Sequence, residues 1–206
     1  MIGVIDYGMG NLFSLSKALE RLGYPYEVVA EPEQLNTYSG LLVPGVGAFG
    51  DAMRNMQDIG MDLAIVRFAE SGRPVLGICL GMQLLFSESE EHGLHKGLGL
   101  LPGRVIRFQG ERKVPHMGWN QLEIKQEKHP LLAGVSPGEY VYFVHSYHVQ
   151  VERKEHLLAD TDYGYPVTAI VAKGQVAGMQ FHPEKSGATG IRLLQNFAKQ
   201  CEGVLS

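Results

Sequence analysis

The chain has 206 residues, 45% hydrophobic and 19% charged, with 18 basic against 22 acidic side chains and a formal net charge of −4. That length buries a sizeable core and suits one domain over 1–206; the composition excludes a disordered chain, and the acidic balance excludes a broad nucleic-acid footprint. No apolar run approaches the roughly 20 residues of a membrane span, no basic leader precedes the first strand, and Cys79 and Cys201 stand outside any CxxC pair, so a reducing, cytoplasmic setting is expected.

Ile2 to Asp6 reads as a strand. Asn11 can cap the helix that follows, since Leu15, Ala18, Leu19 and Leu22 recur at helical spacing and Gly23 supplies a stop. Glu27 to Ala30 and Gly40 to Val43 are further strands. Asp51 to Ser71 is helical with a break near Gly60, and Gly72 ends it. Pro74 to Ile78 is a short apolar strand, and Leu80 to Phe86 opens a helix. Strands alternating with helices imply parallel pairing with helices on both faces.

The second half changes character. Arg104 to Phe108, Trp119 to Ile124, Tyr140 to Val149, Val167 to Ala172 and Val176 to Phe181 read as strands, with Lys173-Gly174 at a tight turn. They are expected to add antiparallel strands to a mostly parallel sheet. A last helix fits Gly190 to Cys201. The expected fold class is α/β, a three-layer sandwich around that sheet.

Gly77-Ile78-Cys79-Leu80-Gly81 joins the apolar strand to the helix with the G-x-nucleophile-x-G spacing of a nucleophile elbow. A sharp turn there leaves no room for side chains at Gly77 and Gly81. The helix N-terminus favours thiolate over thiol, and its free N–H groups, that of Leu80 first, can meet an oxyanion. Spacing alone fits an inert packing cysteine equally well. Downstream, His182-Pro183-Glu184 follows a strand. In extended chain residues two apart point the same way, so His182 can serve as base and Glu184 as its orienter. Of the eight histidines, His145 and His148 lie on a strand where a core or surface role is the default. His92, His95, His129 and His156 lie in polar segments and are expected to be solvated. No HxxxH or CxxC spacing supports a metal, and no cofactor is expected. The glycine-rich run Val43 to Gly50 lacks the P-loop ending and the GxGxxG pattern, but its backbone can approach a ligand closely.

Pro44-Gly45-Val46-Gly47, Gly77 to Gln83 and His182-Pro183-Glu184 together resemble the class I (triad) glutamine amidotransferases, over essentially the whole chain. The resemblance implies hydrolysis of L-glutamine by Cys79, His182 and Glu184, with an oxyanion hole of the Val46 and Leu80 backbone N–H groups. The Gly45–Val46 peptide is expected to reorient to supply its donor. It also implies that Gly47, Gln83, Glu91, Ser146 and Tyr147 hold the glutamine. Asp6 to Asn11, Pro115 to Asn120 and Phe181 to Ser186 resemble the glutaminase subunits of imidazole glycerol phosphate synthase. That implies a (β/α)8 cyclase partner, HisF, in a heterodimer met by Asn11, Met117, Trp119, Asn120 and Lys185. Ammonia passed to it would convert PRFAR to imidazole glycerol phosphate and AICAR in histidine biosynthesis. Another amidotransferase subunit, a cysteine peptidase or thiol sensor, and a non-enzymatic module are the competing readings.

Overall fold

The computed structural model describes residues 1–203. β1 (Ile2–Ile5) leads through a glycine-bearing turn to α1 (Leu12–Leu22), where the Asn11 side chain accepts the Ser14 N–H and Gly23, at φ 72°, closes the last turn. β2 (Tyr26–Val29) and β3 (Gly40–Val43) follow. α2 (Phe49–Ile59) and α3 (Met61–Glu70) divide at Gly60, whose φ of 73° ends one helix and opens the other. β4 (Val75–Ile78) runs into α4 (Leu80–Leu84). Beyond it lie β5 (Phe86–Ser89), β6 (His95–Lys96), β7 (Leu101–Arg107), β8 (His116–Gln121), β9 (Glu123–Ile124), β10 (Tyr140–His145), β11 (Tyr147–Val151), β12 (Leu157–Asp162), β13 (Pro166–Lys173) and β14 (Val176–Met179). α5 (Gly187–Glu202) is the last helix.

The principal sheet has the order β2-β1-β3-β4-β14-β13-β12-β9. The first five strands are parallel and the last three pairings antiparallel. Parallel strands buried on both faces need apolar side chains on both, and β1, β3 and β4 are buried at every position. Leu15, Ala18 and Leu19 of α1 pack with Leu193, Leu194 and Phe197 of α5 against one face. Phe49, Met56, Ile65 and Phe68 of α2 and α3, with Leu80 and Leu84 of α4, cover the other. This is the expected three-layer sandwich. A four-stranded sheet, β11-β7-β5-β6, and a two-stranded one, β10-β8, flank it. Among the described residues no helix is long and apolar enough to cross a membrane.

Two differences from the sequence reading bear on the site. The run Tyr140 to Val149 is two strands, because the chain turns at Ser146 and sends β10 and β11 into different sheets. Continuous β-branched and aromatic residues conceal that break, which no glycine or proline marks. The helix after Cys79 also stops at Leu84, and Phe86–Ser89 pairs as a strand with β7.

Candidate active site

Cys79 stands where β4 passes into α4, with φ 56° and ψ −114°. A residue with a Cβ pays for that conformation, and the surrounding pairings hold it there. Cys79 N–H donates to the Met179 carbonyl at 2.8 Å, continuing the β4–β14 register, and Gln83 N–H returns to the Cys79 carbonyl at 3.3 Å. The flanking glycines are sterically required. A Cβ on Gly77 would lie 2.5 Å from the Gly81 carbonyl oxygen, and one on Gly81 would overlap the carbonyl oxygen of Val43. The clash expected from the elbow pattern is therefore with backbone, which cannot move aside. Cys201, by contrast, is packed among apolar groups, and burial pushes its thiol up to about 12.

His182 and Glu184 converge, although not through extended chain. Pro183–Lys185 forms one 3-10 turn capped by His182. Pro183 fits the first position of that turn, where its missing N–H costs nothing. His182 Nδ1 lies 2.9 Å from Glu184 Oε1, and both side chains are at most 5% exposed. A carboxylate accepts, so Nδ1 carries the proton and Nε2 is the nitrogen left for the thiol. The Ser186 hydroxyl fixes the turn: it donates to the His182 carbonyl at 2.6 Å and accepts the Tyr142 N–H at 2.9 Å. Burial pulls His182 down, but the neighbouring Cys79 and the hydrogen-bonded Glu184 carboxylate outweigh that and raise it to about 9. The imidazolium form of His182 is thus favoured at neutral pH.

The loop after β3 closes over the nucleophile. The Tyr7 hydroxyl donates to the Pro44 carbonyl at 2.8 Å, and a Cβ on Gly45 would meet that hydroxyl at 2.5 Å. Gly47 has φ 105°, open to glycine. Val46, Gly47, Cys79, Leu80, Gln83, Glu91, Ser146, Tyr147 and His182 line one cavity of about 320 Å³. Every residue expected to catalyse or to hold the ligand borders it except Glu184, which stands behind His182. Glu91 has a further tie, accepting the Phe49 N–H at 3.1 Å and so bracing the start of α2. Gln83 Nε2 donates to the Tyr147 carbonyl and to Gln180 Oε1, each at 3.1 Å. A larger hollow of about 640 Å³, lined by Ile106, Gln109, Arg112, His148 and Tyr165 among others, contains no nucleophile.

The residues expected at a partner surface are less uniform. Met117 and Trp119 project from β8 at 60% and 56% exposure, and Lys185 is exposed. Asn11 serves as the α1 cap and also lines a small cavity with Gly45, Val46, His182 and Glu184. Asn120 faces inward instead. Its Nδ2 donates to the Asp162 carbonyl at 2.8 Å and lies 3.3 Å from His116 Nε2.

That contact begins a chain which the sequence did not disclose. His116 Nδ1 lies 2.9 Å from His145 Nε2, and His145 Nδ1 lies 2.8 Å from the Tyr147 carbonyl. Because a carbonyl accepts, His145 carries its proton on Nδ1 and accepts at Nε2, so His116 donates from Nδ1. Burial lowers the pair to about 4 and about 3, which keeps both neutral. His116 also stacks between Phe143 and Tyr163. A polar, oriented line therefore runs from β8 to the Ser146–Tyr147 wall of the cavity. His148 is buried as well, and of the four histidines expected to be solvated only His92 is exposed, His95, His129 and His156 being half-buried.

Residues 3–201 match the family described as "Glutamine amidotransferase class-I". The imidazole glycerol phosphate synthase subunit HisH of Desulfitobacterium hafniense (strain DSM 10664 / DCB-2) is 55% identical over 200 residues, covering 97% of this chain and 94% of that one. The subunit of the same name from Bacillus subtilis (strain 168) is 53% identical over 205 residues, covering 97% and 96%. Among solved structures, a glutamine amidotransferase crystal structure superposes with a TM-score of 0.77 at 24% identity over 98% of both chains. PurLQS from Thermotoga maritima gives 0.77 at 21% identity, over 96% and 97%. These two likenesses concern the fold.

Proposed function

The chain belongs to the class I glutamine amidotransferases, and we propose that it hydrolyses L-glutamine at Cys79, in the cavity beneath the Val43–Gly50 loop. It is a glutaminase subunit of the imidazole glycerol phosphate synthase type. One observation carries the assignment of the residues. A strained cysteine, a buried imidazole–carboxylate pair and the Gln83, Glu91 and Tyr147 groups all come to one cavity from separate parts of the chain.

His182 Nε2 takes the Cys79 proton, and Glu184 stabilises the imidazolium that results. The thiolate attacks the side-chain amide carbon of glutamine. The backbone N–H groups of Leu80 and Val46 hold the oxyanion, the latter after the Gly45–Val46 peptide turns toward it. His182 then gives its proton to the departing ammonia, leaving a thioester on Cys79. Water, deprotonated by the same imidazole, releases glutamate. Gly47, Gln83, Ser146 and Tyr147 enclose the substrate, and the Glu91 carboxylate meets its ammonium. A group anchored to Phe49 N–H can do this without swinging, because its second oxygen accepts no hydrogen bond among the described residues.

Residues 1–206 are one amidotransferase domain in this reading. The partner is HisF, a (β/α)8 cyclase subunit, forming a cytoplasmic heterodimer. It takes up the ammonia and converts PRFAR to imidazole glycerol phosphate and AICAR. Met117 and Trp119 supply the exposed apolar contact, with Asn11 and Lys185 beside the triad and Asn120 bracing β8 from within. Glutamate release by the chain alone, and with the purified cyclase subunit and its ligand, tests this. Weak hydrolysis that rises strongly on addition is expected; full activity of the lone chain would contradict the coupling.

A further inference from the structure

Gln180 is wholly buried, and the chemistry described above leaves it without a task. Hydrogen bonding decides which end of its amide meets the nucleophile. The Tyr147 carbonyl can only accept, so Gln83 turns its NH₂ toward it at 3.1 Å. The second proton of that NH₂ goes to Gln180 Oε1, also at 3.1 Å. Gln180 therefore presents its own NH₂ to Cys79 Sγ, at 3.9 Å. Turning its amide over would set two NH₂ groups against each other and an oxygen against the sulfur. The backbone holds it in place, since Gln180 N–H donates to the Ala169 carbonyl at 2.9 Å.

We propose that Gln180 is a catalytic residue whose side-chain N–H is a preoriented donor to the Cys79 thiolate. Through Gln83 it also ties the nucleophile to the Tyr147 wall of the glutamine pocket. The inference rests on Cys79 being the nucleophile. The sulfur sits between two contacts of opposite preference. The Val144 carbonyl, 3.8 Å away, accepts the S–H of the thiol. The Gln180 N–H favours the anion, and it does so where little water reaches, Cys79 being 7% exposed. Proton transfer to His182 thus shifts the sulfur from one contact to the other without moving the backbone.

Iodoacetamide alkylation at residue 79, followed by peptide mass spectrometry from pH 6 to 10, tests the donor in Gln180→Leu and Gln180→Glu. Cys201, at 1% exposure, is the internal control for an opened fold. Gln180→Leu removes the donor. Gln180→Glu keeps an acceptor for Gln83 and the shape, but sets an oxygen against the sulfur. If the loss of the donor cuts the thiolate share tenfold, alkylation near pH 7 falls about threefold and the plateau at high pH rises about threefold, because a more basic thiolate is a better nucleophile. The glutamate variant shifts at least as far. Profiles that coincide with wild type, or that are merely scaled without a change of midpoint while Cys201 stays protected, would overturn the proposal. Hydrolysis of glutamine by Cys79→Ala reports separately on the nucleophile itself, so the two readings fail independently.

Discussion

Lowering the pH from 7 to 5 should loosen this fold through His116 and His145. Burial holds them at about 4 and about 3, well below the ordinary value of 6.5. Each is neutral in the folded chain but takes a proton in the unfolded one once the pH drops below about 6.5. The stability they contribute is present above that value and is lost as the pH falls toward their folded values. Proton linkage puts the loss at about 2 kcal/mol for each ring by pH 5. His182 works the other way. Its folded value of about 9 lies above the unfolded one, so its contribution is complete below pH 6.5 and disappears as the pH rises through 9. Between pH 7 and 5 it returns under about 1 kcal/mol, leaving a net loss of about 3 kcal/mol from these three rings. Urea unfolding at the two pH values measures this directly. His116→Phe keeps the stacking on Phe143 and Tyr163 and removes one titrating ring, so its loss should be smaller by about 2 kcal/mol. Equal stability of the wild type at both pH values, or an undiminished loss in the variant, would refute the buried neutral pair.

Gly81→Ala should cost about 3 kcal/mol or more and abolish glutaminase activity, because its methyl overlaps the Val43 carbonyl; a soluble, active variant would contradict the geometry of the turn. Cys79→Gly should be more stable than Cys79→Ala by about 1 kcal/mol, reversing the usual order, since φ 56° penalises any Cβ. Thermal unfolding of the pair reads that difference. Trp119→Ala, at a site 56% exposed, should change stability by under about 0.5 kcal/mol and raise the Kd for the cyclase subunit by at least about 30-fold. Calorimetric titration showing unchanged binding would remove Trp119 from the interface.

The parallel half of the fold was legible because each element carries a local signal. Gly23 and Gly60 mark helix ends by their left-handed conformation, and the strands between helices are apolar throughout. The elbow was legible for a related reason, as its glycines answer to contacts within a few residues and across β3. The convergence of His182 and Glu184 was readable from their spacing, but the turn that achieves it was not, since Pro183 suits both extended chain and a 3-10 start. The break at Ser146 carries no turn residue, and the strand at Leu157–Asp162 has no alternation, being buried on both sides of its centre. The roles of His116, His145 and Gln180 depend on partners 29 to 101 residues away. No periodicity reports such pairings; only the folded chain does.

The most direct measurement is single-turnover hydrolysis of glutamine by the chain saturated with its cyclase subunit, quenched in acid and read by intact-protein mass spectrometry. A glutamyl adduct on Cys79 should form in the wild type, vanish in Cys79→Ala and accumulate slowly in His182→Asn. Glutamate released at the wild-type rate by Cys79→Ala, or an adduct on any other residue, would contradict the account.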